Sequence, residues 1–599
     1  MSDRLSDRPD HHLGGHAVSA EVIGPGRRPA ASVQLDRVAH RPAVNVSVDP
    51  RRAAPALVAG ALALVYVIAS PPSFDLAAHL FRAQLFRMEG FGIWNNLWYA
   101  GHDTPGYSVL FPPISAALTP QLAAALAATG SAALLEPLAR RHCGADAWLG
   151  AVVFAAATAT NLFTGRLAFA FGILPATAAV VALDCDRPAW AAALAALTAL
   201  ASPVAALVPA LAGAAYAITA IHPKIGIAAA WTGPPQGRIA VAARVRPVQR
   251  EIGAATTWVR PARAGLAVCF AALAPIGLLA VAFPEGGQEP FALSAFWPIP
   301  LVALGLLWAI PRHARWLRAA LVLYALGTLA SFLIASPAGS NVARLGTFAA
   351  APLAVLVLWP HRRALLVLAT LPLLYLEWHD PARDLTTAVG DPSAATGYYV
   401  PLLSFLERQD GPPFRIEIPF TAYHWEAYEV ATRFPIARGW ERQLDIRDNP
   451  LFYRGRLTAA SYRAWLHRDA IRFVAVAHAP LDYSARAEVA LIDRGLPYLR
   501  LVMRSAHWRV YAVADATPLV QGAATLTGLG PDSLTLTAER PGTVLVHVHF
   551  TPYWALSEGA GCVAPAGDLT ALRLRSAGPV RLVIRFSLGR IGARSPRCS

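Results

Sequence analysis

The sequence predicts a polytopic α-helical membrane protein that ends in an extracytoplasmic domain, part α/β and part β-sandwich. Three observations predict it. About eleven apolar segments follow one another up to Tyr375. Some 220 mostly polar residues come after them, without another stretch of span length. The 599-residue chain is 55% hydrophobic and 15% charged, with mean hydropathy +0.42, too apolar for an ordinary soluble enzyme.

Residues 1–52 are polar, rich in Pro, Gly, His and Arg, and lack the early apolar core of a signal peptide. They read as a disordered cytoplasmic tail. Arg51 and Arg52 directly precede the first span and hold this end inside.

A helix needs about 20 apolar residues to cross the hydrocarbon core. Within a membrane domain at 53–379, the candidate spans are 53–71, 112–136, 146–163, 168–184, 189–203, 204–221, 264–283, 291–310, 318–336, 344–359 and 364–379. Ser202-Pro203 breaks the Ala/Leu run 189–221, as a tight hairpin or as a kink. Charge decides the count. With residue 52 inside, the inner loops include Arg140-Arg141, PRHARWLR, PHRR and the segment 222–263, which holds seven Lys/Arg against the single acid Glu251. The outer loop FPEGGQEP has two acids and no base. Eleven spans keep the basic loops inside and put the C-terminal domain outside, whereas fusing 189–221 inverts every later loop.

The outer part divides at about 517. Residues 380–517 mix short strands (FRIEIPF, RFVAVA, WRVYAV) with helical stretches such as YRAWLHRD, an α/β pattern. Residues 518–599 alternate with period two between turns (AATLTGL, SLTLTAE, TVLVHVHF, ALRLRS, VRLVIRFS), an antiparallel sandwich pattern. Cys562 and Cys598 are the two cysteines of this domain, and a disulfide between them suits an oxidising compartment.

Net charge +15 raises nucleic acid as a partner, but the basic residues are scattered over loops and Lys224 is the only lysine. Without a basic patch interleaved with aromatics, nucleic-acid binding is not expected. No Walker loop, GxGxxG, HExxH or nucleophile elbow occurs, which disfavours an ATP-driven pump.

Candidate chemistry gathers at one face of the membrane. Asp75 and His79 follow the first span at i, i+4 spacing, so they share a face if 76–88 is helical. Leu76, Leu80, Leu85 and Phe86 would supply an interfacial face. Asp75 reads either as an N-cap with His79 as its solvated neighbour, or as a general base with His79 orienting it or touching a phosphate. In the same loop, Trp94, Trp98, Tyr99 and Tyr107 fit an aromatic belt, or a sugar grip together with Asn95, Asn96, His102 and Asp103. The spacing of His79, His102 and Asp103 matches no metal signature, so no metal is expected. Arg166, with Asn161, and Arg344, with Asn341, stand at outer span ends, where arginine is disfavoured unless it is paired or hydrated. A guanidinium there suits a phosphate, a lipid headgroup or an acid of the outer domain. His424, Trp425, Glu426, Arg438, Trp440 and Glu441 could cap the membrane cavity or serve interdomain packing.

The segments SFDLAAHLFRAQLF, WNNLWYAGHDTPGYSVLFPP, TGRLAFAFG, SNVARLG, GWERQLDIRDNPLFY and HWRVYAV resemble the GT-C superfamily of integral-membrane glycosyltransferases, and more closely actinobacterial membrane proteins related to it. The resemblance covers most of 53–515. It implies a GT-C-like fold, an outer-face reaction at the plasma (inner) membrane, a polyprenyl-phosphate-linked sugar as donor and a cell-envelope glycan as acceptor, with no cofactor. By it Asp75 is the base and Arg344 holds the donor phosphate with Asn341 beside it; His79 and Arg166 join them as candidates by position. Trp94, Asn95, His102, Asp103, Tyr107 and His424 are expected to meet substrate. The loop has one Asp where many members have paired acids. The alternatives are a secondary transporter or flippase, and a non-catalytic envelope assembly protein. Transporters place polar groups near the bilayer midplane, whereas here they cluster at one mouth.

Overall fold

The computed structural model describes residues 49–221, 259–388 and 390–598. Residues 1–48 of the expected tail 1–52 and most of the basic segment 222–263 lie outside the described residues, while Pro50, Arg51 and Arg52 already belong to the first helix.

Among the described residues, six helices are long and apolar enough to cross a membrane: Pro50–Ala69, Pro120–Cys143, Leu167–Asp184, Val259–Ala282, Arg315–Leu333 and the stretch Gly339–Leu358. Shorter apolar helices occupy Ala147–Phe163, Pro188–Ala201, Leu207–Ile221 and Leu293–Ala309. Helix Arg363–Ala388 carries several charges and two internal prolines, Pro372 and Pro381.

Local sequence sets the breaks. Asp49 accepts from the Arg51 N–H, and Pro50 starts the first helix where its missing N–H costs nothing. The expected span 112–136 is two helices, Phe111–Leu118 and Pro120–Cys143, because Thr119 turns left-handed (φ 94°) and caps the second through Leu122 N–H. At Ser202-Pro203 the helix stops outright. Ser202 is extended, a turn follows, and the next helix starts at Leu207. The freed Leu200 carbonyl accepts from the N–H groups of Val109 and Leu110, and Ser108 Oγ donates to the Ala201 carbonyl at 2.7 Å. Helices Leu207–Ile221 and Val259–Ala282 cross at Gly213 and Gly265, where a Cβ on either would lie 2.5 Å or less from the other's carbonyl oxygen. Only glycine lets two backbones approach so closely.

Among the described residues, the region after helix Arg363–Ala388, called the outer region after its expected side, holds three sheets. Arg415–Glu417 pairs in parallel with Ile471–Ala477, and Trp508–Val513 and Leu499–Arg504 continue antiparallel. Helix Ala459–Arg468 stands beside them behind a Thr458/Ser461 capping box. The last part stacks a five-stranded sheet (Arg597–Cys598, Gly561–Ala566, Leu569–Leu574, Gly542–His549, Val520–Gln521) on a four-stranded one (Trp554–Glu558, Gly578–Ile584, Ser533–Ala538, Ala524–Leu529). Cys562 and Cys598 sit opposite each other in the outer pair of strands and form a disulfide.

Helix Leu76–Glu89 buries half of its expected interfacial face in protein, Leu76 and Leu85, and leaves Leu80 and Phe86 partly exposed. Leu76, Phe81 and Leu85 are buried in a core shared with Trp98 and Tyr99 of the first loop and with Tyr399, Leu402, Ile416 and Trp508 of the α/β unit. That shared core sets the first loop and the outer unit in fixed register over the membrane helices.

Candidate functional site

Asp75 occupies the N-cap position of Leu76–Glu89, yet its side chain makes no capping bond; only its backbone carbonyl serves the helix, accepting from His79 N–H. Oδ1 accepts from Trp440 Nε1–H at 3.2 Å, and Oδ2 lies 4.0 Å from Arg344 Nη2. Both Asp75 and Arg344 side chains remain about a quarter exposed (25% and 24%). The ionic contact is too long for a direct hydrogen bond, so the guanidinium keeps donors for something else.

Arg344 stands in the first turn of helix Ala343–Leu358, which the 3-10 turn Gly339–Val342 leads into without a break. The preceding turn Gly339–Val342 is pinned to the loop that follows the helix Val259–Ala282. Glu289 N–H donates to the Ser336 carbonyl, and Ser340 Oγ to Glu289 Oε1. Gly339 has φ +38°, and a Cβ there would strike Glu289 O.

Arg344 also lines a cavity of about 770 Å³. One end is polar, with Arg166, Glu289, Ser340, Asn341, His379 and Asp380 beside Arg344. The rest is apolar, walled by side chains such as Leu135, Phe154, Ile173, Leu306, Leu321 and Leu353. Arg166 is braced by Asp380 at 3.5 Å; burial, and then the facing Arg344, makes it a weaker base than usual. Burial pushes the Glu289 carboxyl up, with Arg344 opposing. Arg344, Asn341 and Arg166 thus share one end of the cavity, and Asp75, which does not line it, stands next to that end through Arg344. The polar end sets two guanidinium groups beside the carboxylates of Glu289 and Asp380, ahead of a long apolar wall.

His79 is not a solvated neighbour of Asp75, nor does it orient it. It is 1% exposed, its Nε2 lies 3.1 Å from the Gly165 carbonyl, and its ring packs on Phe111 and Tyr107. Burial lowers it to about 3, so the neutral ring donates from Nε2. Gly165 is left-handed (φ +74°) and so close to Ser73 that a Cβ would overlap Ser73 Oγ. The TGR turn is thereby locked against the start of the Asp75 helix.

Tyr107 lies under the Arg82 guanidinium, 3.8 Å from ring centre to Cζ, and Arg82 is paired with Glu441. Burial raises the Tyr107 phenol to about 12, with Arg82 opposing. Glu441 in turn donates its N–H to Tyr99 Oη at 2.8 Å. Arg82 and Trp440 carry the contact between the loop and the outer unit. Arg82 was not a sequence candidate, since an arginine on an amphipathic helix gives no sign that it points inward.

The remaining sequence candidates are committed to structure. Trp94 is buried in the sandwich core against Trp554 and donates to Asn96 Oδ1. Asn95 holds His102 Nε2 at 3.0 Å, and His102 Nδ1 meets Glu285 Oε1 at 2.9 Å. Burial pulls the imidazole of His102 down, but the Glu285 bond outweighs it and the net direction is up. Asp103, mostly through burial and then the nearby Glu285, is raised to about 8. Trp98 donates to the Ala427 carbonyl, and Gly439 touches its ring so closely that a Cβ would overlap it. These aromatics form neither a belt nor an open sugar platform. They peg the first loop into the outer domains.

His424 is fully buried and stacks on Trp440 with ring centres 3.5 Å apart. Its ring nitrogens have no hydrogen-bond partner among the described residues; Nε2 is 3.7 Å from Asp482. Asp482 is clamped by both Nη atoms of Arg442, whose guanidinium lies 4.8 Å from the Trp440 ring centre. His424 therefore backs the indole that holds Asp75 and meets no open space. Among the described residues, no group of three or more His, Cys, Asp or Glu is arranged to hold a metal ion.

Neither a scan against protein-family models nor a search of the curated proteins finds a match for this chain.

Proposed function

We propose that the protein is a membrane glycosyltransferase of GT-C type, which transfers a sugar from a polyprenyl-phosphate donor to a cell-envelope acceptor at the outer face of the plasma membrane. In this reading all eleven apolar segments cross the bilayer, the N-terminus is cytoplasmic and the C-terminal domain is outside. The observation that carries it is the 4.0 Å approach of Asp75 to Arg344 at the polar mouth of an apolar cavity of about 770 Å³.

The chemistry divides between the two charges. The Asp75 carboxylate takes the proton of the acceptor hydroxyl as that oxygen bonds to the anomeric carbon. The bond from the anomeric carbon to the phosphate oxygen breaks, and the electron pair stays on the polyprenyl phosphate. Arg344, braced in a helix first turn, and Arg166 hold the charge of that leaving group. The apolar part of the cavity accepts the chain.

The test uses purified full-length protein with polyprenyl-phosphate sugars, comparing wild type with Asp75→Asn and Asp75→Ala. Both substitutions are expected to cut transfer by about a hundredfold or more, the scale of a lost general base, with expression unchanged. Wild-type rates in both would end the assignment of the base. Movement of the lipid-linked sugar across the bilayer without transfer would favour a transporter.

A further inference from the structure

The sandwich carries an exposed apolar step beside the end of a membrane helix. Helix Val259–Ala282 leaves Leu278 (71%) and Val281 (66%) open, as a lipid-facing surface does. Directly after it, Phe283 packs between Tyr553 and Phe586, with ring centres 5.7 Å from each, and Tyr553 Oη donates to the Ala282 carbonyl at 2.5 Å. The turn after strand Gly578–Ile584 then presents Phe586 and Leu588, 48% and 76% exposed.

Cations surround this turn. Arg590 donates to Pro552 and Ser595, and Arg597 to the carbonyls of Tyr553 and Arg585. Arg597 is held below its usual value by burial and by the nearby Arg590 and Arg585. Among the described residues none of the three is paired with a carboxylate. The disulfide Cys562–Cys598 fixes the strand that carries Arg597.

Water alone gives no reason to expose two large apolar side chains beside three arginines that lack a carboxylate partner among the described residues. A bilayer surface supplies both partners, acyl boundary for the apolar tips and phosphate for the guanidinium groups. The occupant follows from continuity, since the step prolongs the open flank of a helix apolar enough to cross a membrane.

We propose that the 585–590 turn is a lipid-contacting anchor, with Phe586 and Leu588 at the acyl boundary and Arg585, Arg590 and Arg597 on phosphates of anionic headgroups. It seats the sandwich on the membrane independently of any glycosyl transfer.

The test is made on full-length protein in nanodiscs containing phosphatidylglycerol. Cys143, Cys185 and Cys269, the free thiols, are replaced by Ser, and a nitroxide is attached without reductant to Leu588→Cys or, in a second variant, to Thr537→Cys. Thr537 is exposed and pairs with Pro579, five residues before Ile584, so it stands about 17 Å up the strand. Collision with oxygen, which concentrates in lipid, is compared with collision with a water-soluble nickel chelate. The expected result is an oxygen-to-nickel ratio several-fold higher at 588 than at 537. Equal ratios at the two positions would overturn the proposal, and because no sugar donor is present, the outcome is separate from that of the transferase assay.

Discussion

Asp75 Oδ2 and Arg344 Nη2 meet at 4.0 Å, and the indole of Trp440 closes on the other oxygen of the same carboxylate from the outer unit. One residue follows the first helix, the second opens a late one, and the third belongs to a separate sheet-bearing unit. A carboxylate held from both sides is oriented without being sealed, because its ionic partner stays beyond hydrogen-bond reach.

Trp440→Phe tests the outer unit's share. It keeps an aromatic face for His424 but removes the donor to Asp75. Losing a hydrogen bond to a charged acceptor costs about 1.5–3 kcal/mol of stability, so the melting temperature is expected to fall by several degrees, and kcat about tenfold as the carboxylate loses its orientation. An unaltered kcat would show that the indole only packs.

Arg344 and Arg166 are expected to differ. Arg344→Gln removes a guanidinium with spare donors at the cavity mouth, and kcat/KM for the donor is expected to drop about 10- to 100-fold. Arg166 is already braced by Asp380, so Arg166→Gln is expected to cost less. Steady-state kinetics with varied donor read both, and a larger loss at Arg166 would reverse the assignment of the phosphate site.

Glu426 and His424 give the outer unit a pH signature. Burial raises Glu426 from 4.5 to about 8, although Thr421 donates to it. Its contribution to stability is complete below pH 4.5 and is lost as pH climbs through 8. Burial lowers His424 from 6.5 to about 3, with Asp482 opposing, so its contribution is complete above pH 6.5 and is lost as pH falls through 3. Between 4.5 and 6.5 the two slopes oppose each other. From 6.5 to 8 only Glu426 of this pair still changes, which amounts to about 2 kcal/mol. Thermal melts at pH 6.5 and 8.5 should therefore show a drop in the wild type and a smaller one in Glu426→Gln. Parallel drops would place the effect elsewhere.

Much of this arrangement was legible in the sequence. Asp75 stood out as an acid at a span end, and Arg344 as a cation on the disfavoured side; both meanings depend on position along an apolar pattern, which a sequence displays. His79 misled because i, i+4 spacing fixes only a shared face, and its partner arrives from the turn at Gly165. Trp94 fitted an aromatic belt because an indole wants the same surroundings, apolar body and polar tip, in a sandwich core. Glu285 served only as a charge marker, since nothing in FPEGGQEP reveals that it closes on His102. The break at Thr119 was hidden by hydropathy, which Thr-Pro barely interrupts.

The first loop emerges from the ribosome long before the strands that hold it. Asn96 donates to the Gly530 carbonyl, Trp98 to Ala427 and His549 to the Ala100 carbonyl, all supplied by chain made hundreds of residues later. Until then those groups have only water or one another. A chain cut short ahead of its last two hundred residues therefore lacks every one of these partners, and its apolar helices would form with the first loop still unfastened.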